Sequence, residues 1–254
     1  KPLDGVQLRR TRRADDANVV SAVRKADDHE PQQGLETVRD HEYPHRAAEY
    51  DMRIVCLLPA RNAAADLPRW FDSVAVFSDA VVALDDGSTD ATAEVLAAHP
   101  LVKVLLRNPR RPSFAGWDDS ENRRRLLSAA AELSPDWIVG VDADEVIPEA
   151  DGLALRDFVE RRALPGFAYG FPVYRMIDDP AHYDVIESRA YRLFAYRPHQ
   201  QLPTARLHFV PVPADIPRHR WLVTNVRLQH LGTLTPELRS ARRDKYREVD
   251  PAQE

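Results

Sequence analysis

The chain has one cysteine, two methionines and nine glycines among its 254 residues, and it lacks a long apolar run. Because Cys56 is alone, no disulfide can form within the chain, and its place in the apolar stretch 54–58 indicates a buried packing residue. A chain without disulfides fits a reducing, cytosolic compartment, with work at a membrane surface left open. No stretch approaches the roughly 20 apolar residues that cross a bilayer, and the N-terminus carries no signal-peptide pattern. The sequence therefore predicts a folded protein without a transmembrane segment.

The chain also lacks an excess of positive charge. Its formal net charge is −5, so it has no overall basic footprint for nucleic acid. Arginine runs within 9–13, 107–111 and 123–125 could hold phosphates locally, but such runs are more often solvated faces. Apolar residues make up 44% of the chain, which is enough for a substantial core. We therefore expect a globular protein that does not bind nucleic acid.

The pattern along the chain predicts an α/β fold with an N-terminal extension. Residues 1–50 are charged and short of large apolar residues, which indicates an extension, helical in part around 16–25. Beyond them, the expected strands are 53–58, 80–84, 102–106 and 137–141, and the expected helices are 66–77, 89–98 and 120–133. This alternation is typical of a mostly parallel, Rossmann-like sheet covered by helices. Further on, we expect strands at 167–176, 190–196, 205–210 and 225–230, and helices at 151–162 and 236–247. We therefore divide the chain into a Rossmann-like half at 51–150 and a second half, with a smaller mixed sheet region and a C-terminal helix, at 151–254.

An apolar run ends in three carboxylates at Asp136-Trp-Ile-Val-Gly-Val-Asp-Ala-Asp-Glu145. The run is typical of a strand buried on both faces, so Asp142 and Asp144 are expected at its carboxyl end, where open α/β sheets bind ligands. Side chains alternate along an extended segment, so both acids would share one side while Ala143 faces away. Adjacent carboxylates suit Mg²⁺ or Mn²⁺, ions that usually arrive with substrate phosphates. The run therefore predicts a metal-bridged nucleotide site.

A second acidic turn follows the strand predicted at 80–84, with the sequence Asp85-Asp-Gly-Ser-Thr-Asp-Ala-Thr92. Gly87 permits a tight turn, and Ser88, Thr89 or Asp90 can cap the helix that follows. Such a turn presents carboxylates that can accept hydrogen bonds from a base or ribose. Taken alone, the turn is equally well explained as an ordinary connection between a strand and a helix.

Together, three strand ends resemble the family 2 glycosyltransferases, which have the GT-A fold. The chain has Leu58-Pro-Ala-Arg-Asn62, then the DDGSTDAT turn, then Asp142-Ala-Asp144, where the family has P-x-x-N, D-D-G-S-x-D-x-T and D-x-D. The resemblance covers residues 52–147 well and the rest weakly. A later stretch, Arg189-Ala-Tyr-Arg-Leu-Phe194, is similar to an R-L-F segment of bacterial lipopolysaccharide-core glucosyltransferases. The resemblance implies a metal-dependent glycosyltransferase of hexosyltransferase type, with residues 51–150 as its nucleotide-sugar-binding half and residues 151–254 as its acceptor-binding half.

The resemblance also implies roles for the residues that match its motifs. Asp85 or Asp86 matches the acid that hydrogen-bonds the base, and Asp144 matches the metal ligand. Glu121 departs from the Arg that usually precedes the segment matched by Asn122 and Arg123. The implied nucleotide-sugar site comprises Pro59, Ala60, Arg61, Asn62, Asp85, Asp86, Asn122, Arg123, Asp142, Ala143 and Asp144. The implied ligands of Mg²⁺ or Mn²⁺ are Asp142, Asp144 and the late His230.

The acceptor side is less defined by the sequence. Inverting enzymes of the family deprotonate the acceptor hydroxyl with a carboxylate, and the resemblance implies inversion. We name Glu187 and Asp184 as the candidate bases, with Asp178 and Asp179 as further acids. The implied donor is a UDP-, GDP- or dTDP-linked sugar, and the acceptor is a glycan, a lipid-linked sugar or a small metabolite.

Three further expectations concern the C-terminal part of the chain. His208 resembles a histidine on the acceptor side of relatives, although packing explains it equally well. Arg239, Arg242 and Lys245 could close over a diphosphate, but a solvent-facing charged helix is the simpler interpretation. Thr235 and Pro236 are expected to begin that helix as its N-cap and first residue.

Two other classes of protein remain alternatives. A nucleotidyltransferase acting on sugar phosphates also uses a Rossmann-like sheet, paired acids and Mg²⁺. It normally carries a glycine-rich basic loop after its first strand, and the loop 59–63 has no glycine. A non-catalytic nucleotide-binding module with a retained GT-A fold is disfavoured by the intact Asp142 and Asp144. It remains an alternative because the sequence does not single out one catalytic base.

Overall fold

The computed structural model of the protein describes residues 12–13, 24–25, 52–183 and 188–249. The first half holds β1 (Arg12–Arg13), β2 (Arg24–Lys25), β3 (Ile54–Ala60), α1 (Leu67–Val74), β4 (Ala80–Asp85), α2 (Thr92–Ala98), β5 (Val102–Arg107), α3 (Asp119–Ala130) and β6 (Trp137–Gly140). The second half holds β7 (Glu145–Val146), α4 (Glu149–Arg161), β8 (Ala168–Ile177), β9 (Asp179–Tyr183), β10 (Ser188–Ala195), β11 (Trp221–Val223), β12 (Leu228–His230) and α5 (Pro236–Val249).

Four parallel strands in the order β6-β3-β4-β5 form one end of the sheet, with β5 at its edge. Alternate residues of β3 pack into opposite apolar layers: Ile54, Cys56 and Leu58 join one cluster, and Val55 and Leu57 join the other. A strand with apolar residues at every position is therefore buried on both faces, as parallel sheets require. The carboxyl ends of these strands form one edge of the sheet.

Helices cover both faces of this parallel core. On one face, α1 presents residues spaced at helical intervals: Leu67, Trp70, Phe71 and Val74. Leu96 of α2 and Phe158 of α4 join the same cluster. On the other face, α3 contributes Leu126, Leu127 and Ala130. The sheet is thus fixed between two apolar layers, which leaves its carboxyl edge free for polar side chains.

A mixed region continues the sheet beyond β6. Strand β10 runs antiparallel to both β6 and β8, whereas β11 and β12 run parallel to β8. Strand β7 pairs with β12, so that Glu145 lies opposite His230. The predicted α/β fold, with a Rossmann-like half and a smaller mixed region, is confirmed.

The predicted elements are largely present, with boundary shifts and one wrong strand. Residues 205–210 form no strand; Pro203 and Pro211 flank the segment without a backbone donor, and His208 has a left-handed φ of 56°. Strands β7, β9 and β11 were not predicted, because two to five residues carry little periodic signal. The helix expected at 16–25 lies outside the described residues except for 24–25, which are strand.

Two helices, α3 and α5, begin at side-chain caps. Asp118 accepts a hydrogen bond from the backbone N–H of Glu121 at 2.8 Å and so caps α3. Thr235 accepts one from Leu238 at 3.3 Å at the start of α5, as expected. Helix α2 begins three residues later than expected because Asp90 remains in the turn, where it accepts a hydrogen bond from Thr92 at 3.0 Å. No helix in the described part of the chain is long and apolar enough to span a membrane.

Candidate active site

The acidic segment after β6 forms a turn rather than an extended strand. The backbone N–H of Glu145 donates to the carbonyl oxygen of Asp142 at 2.9 Å. The expectation that Asp142 and Asp144 share one side by strand alternation is therefore wrong, because β6 ends at Gly140. The two carboxylates lie at the carboxyl edge of the sheet, as predicted, but face different partners.

Asp142 is held by two arginines. One carboxylate oxygen accepts from Arg123 at 2.7 Å, and the other lies 2.9 Å from Arg192. Burial would raise the pKa of Asp142, but the charges of Arg123 and Arg192 outweigh it and hold this pKa below its ordinary value. Asp142 is therefore an ionised anchor, with both of its oxygens engaged by guanidinium groups.

Glu145 lies beneath the turn and is only 3% exposed. One of its oxygens accepts from the backbone N–H of Asp142 at 2.8 Å and from Arg192 at 2.6 Å. Burial raises the pKa of Glu145, and the attraction of Arg192 opposes this shift only in part. Glu145 thus ties the end of the turn to its beginning, and it is too buried to reach a substrate.

Asp144 pairs with His230 across the edge of the sheet. Its Oδ2 lies 3.2 Å from His230 Nε2, and its carbonyl oxygen accepts from the backbone N–H of Leu231 at 2.7 Å. Burial would raise the pKa of Asp144, but the hydrogen bond and charge of His230 lower it. Burial would likewise lower the pKa of His230, yet the bond to Asp144 raises it. A β-carbon at Gly232 would lie 2.2 Å from Asp144 Oδ2, so the pair needs glycine there.

The Asp144–His230 pair fits two neighbouring ligands of a divalent cation. Two ligands at right angles around Mg²⁺ or Mn²⁺ are separated by about 3 Å, since each lies roughly 2.1 Å from the ion. The buried Nδ1 of His230 has no hydrogen-bond partner, which leaves the orientation of the ring to be set through Nε2. No group of three or more His, Cys, Asp or Glu side chains in the described residues could hold a metal by itself. Any cation there would complete its shell with phosphate oxygens and water.

The turn after β4 forms a second polar cluster. Asp86 is buried and accepts from Asn108 Nδ2 at 2.6 Å and from Arg111. Asn108 also donates to Asn122 Oδ1 at 3.0 Å, and Asn122 Nδ2 is buried without a partner. Asp85 instead stabilises the turn by accepting from the backbone N–H of Ser88 at 3.1 Å. Asp86 and Asn122, which are distant in sequence, are therefore brought together as predicted.

The loop after β3 is joined to this turn. Asn62, with a left-handed φ of 49°, donates from its backbone to Ser88 Oγ at 3.0 Å and accepts from Thr89 at 2.7 Å. The Arg61 side chain crosses to the carbonyl oxygens of Asp86 and Arg111 at 2.9 and 2.8 Å. Pro59 and Ala60 are the last residues of β3 and carry no functional side-chain group. The matched motif residues of the two loops are thus in direct contact.

Helix α5 lies against the loop 109–118 and the Asp144–His230 pair. Arg242 lies 3.3 Å from His230 Nε2. The ammonium of Lys245 lies 4.0 Å from the ring centre of Trp117, and burial lowers its pKa. Glu248 accepts from the backbone N–H of Ala115 at 2.9 Å. Contrary to the simpler interpretation, α5 therefore turns part of its charged surface toward the site.

The candidate bases are only partly described. Asp184 and Glu187 lie outside the described residues. Asp178 is exposed and lies 3.3 Å from Arg239, and Asp179 accepts from Ala181 at 2.7 Å and lies against His182. The pKa of Asp179 is lowered mainly because its carboxylate accepts the hydrogen bond from Ala181.

The remaining acceptor-side candidate, His208, is exposed and stacks on Tyr246 of α5, with ring centres 6.2 Å apart. Its contact with the same helix that carries Arg242 and Lys245 places it on the α5 side of the site.

Sequence reasoning missed three side chains that organise the site. Arg111 and Asn108 hold Asp86, and Arg192 holds Asp142 and Glu145. The arginine run at 107–111 was visible as a phosphate-binding candidate, but the sequence does not show its ion pair. Arg192 was visible only as part of the R-L-F stretch.

Part of the sequence matches a known protein family. Residues 55–176 match the family model described as glycosyl transferase family 2. An uncharacterized protein of Mycobacterium bovis and one of Mycobacterium tuberculosis are each 34% identical over 212 residues, covering 79% of this chain and 51% of theirs. The chain thus spans about half the length of the curated relatives it matches.

Two solved structures are similar to part of the chain. S. aureus TarS 1-349 in complex with UDP-GlcNAc is 16% identical, with a TM-score of 0.37, over 50% of this chain and 34% of that one. Glucosyl-3-phosphoglycerate synthase from Mycobacterium tuberculosis, in complex with Mn²⁺, UDP-glucose and phosphoglyceric acid, is 23% identical, with a TM-score of 0.35, over 51% and 45%. Likeness at this level assigns no role to individual residues here.

Proposed function

Since the chain belongs to the family 2 glycosyl transferases, we propose that it transfers a sugar from a nucleoside diphosphate to a hydroxyl acceptor with the help of Mg²⁺ or Mn²⁺. The observation that carries the proposal is the pairing of Asp144 with His230, 3.2 Å apart at the carboxyl edge of the parallel sheet. This edge is where open α/β sheets bind nucleotides. A cation held there would supply Lewis-acid stabilisation of the departing diphosphate.

The surrounding residues divide the recognition of the donor among them. Asp86, with Asn108 and Asn122 beside it, offers carboxylate and amide groups to a base. Asp142 was also named from the sequence as a metal ligand, but both of its oxygens are engaged by arginines, so we assign it to the ribose or sugar and assign the metal to Asp144 and His230. Arg242 and Lys245 of α5 add positive charge beside that pair, where a diphosphate would need it.

The finer parts of the proposal come from the motif resemblance. They are inversion at the anomeric carbon, a hexose as the transferred sugar, and the division into a donor half and an acceptor half. Glu187 or Asp184 remains the proposed base, since a carboxylate near the sugar is needed to take the hydroxyl proton. We also propose a cytoplasmic place of action, with a glycan, a lipid-linked sugar or a small metabolite as acceptor.

Ligand binding tests the proposal directly. Thermal unfolding is followed with UDP, GDP and dTDP and their sugars, each with and without Mn²⁺. At a ligand concentration about 100 times Kd the stabilisation is about 2.7 kcal/mol, which raises Tm by roughly 5–10 °C for a domain of this size. We expect a shift with one nucleotide that needs Mn²⁺, and slow release of free sugar from the matching donor.

Asp144→Asn is the test variant and Asp157→Asn is its matched control. Asp157 lies on α4 and pairs with exposed Arg161, away from the sheet edge. We expect Asp144→Asn to lose the Mn²⁺-dependent shift and the release of sugar, whereas Asp157→Asn keeps both. A flat response of the unmodified protein to every nucleotide would overturn the proposal. Nucleotide binding with pyrophosphate release from a nucleoside triphosphate and a sugar phosphate would instead support the nucleotidyltransferase alternative.

A further inference from the structure

We infer that Arg192 is a positioning residue of this site, which fixes the turn at 142–145 and thereby holds Asp144 against His230. The inference rests on the proposed function for its consequence in metal binding, but its structural part stands independently. Arg192 comes from the acceptor half of the chain, and it joins that half to the acidic turn.

A break in the strand register directs Arg192 toward the acids. The pairing of β10 with β8 shifts between Tyr191 and Leu193, so Arg192 is an extra residue in β10. Pairing of β10 with β6 begins only at Leu193, opposite Val139. A bulge of this kind re-aims a side chain that would otherwise follow the alternation of the strand. The Arg192 side chain passes over Gly140, the last residue of β6, and ends at the turn.

The guanidinium of Arg192 closes a ring of contacts. Its NH1 lies 2.9 Å from Asp142 Oδ2 and donates to Glu145 Oε2 at 2.6 Å. The same Glu145 oxygen accepts from the backbone N–H of Asp142 at 2.8 Å. One nitrogen therefore ties together the first and last residues of the turn. Asp144 lies between them, so its position follows from theirs.

No other cation described here contacts both ends of the turn. Arg123 reaches only Asp142, and its remaining bond is to Asp119 of α3. The side chain of Arg192 is 16% exposed, and that of Glu145 is 3% exposed. Removing the guanidinium would leave a buried carboxylate without its ion pair, and the turn must then move or admit water. Arg192 makes no contact with Asp144 itself, so its effect on that residue is indirect.

Arg192→Lys is the main test variant and Arg189→Lys is its matched control. Lysine keeps the charge, but its strongly hydrated ammonium sits on a flexible stem and lacks the rigid planar guanidinium that holds NH1 against both carboxylates, so we expect the fold to be retained while the turn is held less firmly. Arg189 lies on the same strand and is exposed. Arg192→Met removes the charge entirely and gives the larger effect, provided that the variant folds.

The first readout needs no metal and no donor. Hydrogen exchange of the peptide covering residues 141–147 reports the turn, because the Asp142 and Glu145 amides are hydrogen-bonded within it. We expect this peptide to exchange faster in Arg192→Lys than in the unmodified protein, and at an unchanged rate in Arg189→Lys. Exchange in β3 and β4 should be unchanged in both variants. Unchanged exchange of this peptide in both Arg192→Lys and Arg192→Met would overturn the inference.

The second readout is the affinity for Mn²⁺, measured by electron paramagnetic resonance of free Mn²⁺ and by the Mn²⁺ dependence of turnover. Loss of a residue that orients a metal ligand typically weakens affinity about 10–100-fold. We expect the KM for Mn²⁺ to rise in Arg192→Lys, while kcat at saturating Mn²⁺ is largely recovered. A merely structural role would lower stability without this split.

The two failures are distinguishable. If the unmodified protein binds Mn²⁺ and a nucleotide but the Arg192 variants bind them equally well, the inference fails and the proposed function stands. If the unmodified protein binds neither while the exchange difference is present, the proposed function fails and the bracing of the turn stands.

Discussion

Gly232→Ala tests the proposed metal pair with little disturbance of the fold. Gly232 does not have the left-handed backbone found at Gly87, Gly116 and Gly166, so alanine can adopt its conformation. An added β-carbon would lie 2.2 Å from Asp144 Oδ2, where ordinary contacts begin at 3.4 Å. The obstructing atom is the end of a side chain rather than backbone, and the next atom, His230 Cε1 at 3.0 Å, also belongs to a side chain. We therefore expect the carboxylate to move away from His230 while the chain around it stays in place.

The size of the effect follows from what the carboxylate loses. A side chain forced off its rotamer costs about 0.5–1.5 kcal/mol. The bond to His230 is charge-assisted, but the Asp144 side chain is 36% exposed, so solvent screening reduces what its loss costs. The expected loss of folding free energy is thus about 1 kcal/mol. The expected loss of Mn²⁺ affinity is larger, about 10–100-fold, because the two proposed ligands no longer converge.

Calorimetric titration of Mn²⁺ with the matching nucleotide measures this affinity, and urea unfolding measures the stability. Gly140→Ala is the matched control, since its added β-carbon meets no atom closer than 3.6 Å. Gly87→Ala is the opposite control, because the left-handed turn and the carbonyl of Pro109, 2.2 Å away, make it a fold-destabilising change. Unchanged Mn²⁺ affinity in a folded Gly232→Ala protein would refute the assignment of Asp144 and His230 as partners around a cation.

Three further predictions concern other parts of the molecule. Burial raises the pKa of the Cys56 thiol, so thiol reagents should label it only in denaturant, and rapid labelling of the native protein would contradict its packing. Asp151→Ala should lower the free energy of unfolding in urea by about 1.5–3 kcal/mol, because the buried Asp151 carboxylate no longer accepts the charged hydrogen bond from half-buried Arg227 at 2.6 Å; an equal loss from Asp157→Ala, at an exposed pair, would argue against burial as the cause. Lys245→Met should weaken the affinity for the nucleoside diphosphate, measured by calorimetry, about 10–100-fold, as expected for a lost charged hydrogen bond. Stability should change little, and wild-type affinity would remove Lys245 from the diphosphate site.

The sequence predicted those parts of the fold that depend on local pattern. The buried strands are read from continuous apolar runs such as Ile54 to Leu58, since each position packs into one of two layers. The turn at Gly87 was predictable from the glycine itself, because a φ of 70° favours that residue type. The pairing of Asp144 with His230 was anticipated only through the family motif, because nothing local in either segment points to the other.

The sequence could not predict features that depend on register and on competition between contacts. The bulge at Arg192 lies where β10 begins to pair with β6 as well as with β8, and no residue type marks it. The turn at 142–145 replaces an extended strand because Glu145 bonds back to Asp142, and the alternation rule does not include such a bond. The ion pair of Arg111 with Asp86 likewise arises from a loop whose path is set by Arg61.

The docking of α5 determines when the site can exist during synthesis. The contact between Ala115 and Glu248 joins residues 133 positions apart, and His230 and Gly232 also come late in the chain. At about 5–20 residues per second, on the order of ten seconds separates the emergence of the acidic loops from that of their partners. Until then the carboxylates of the sheet edge have neither His230 nor the cations of α5 beside them. The parallel core can fold early, but a competent site is a late product of translation.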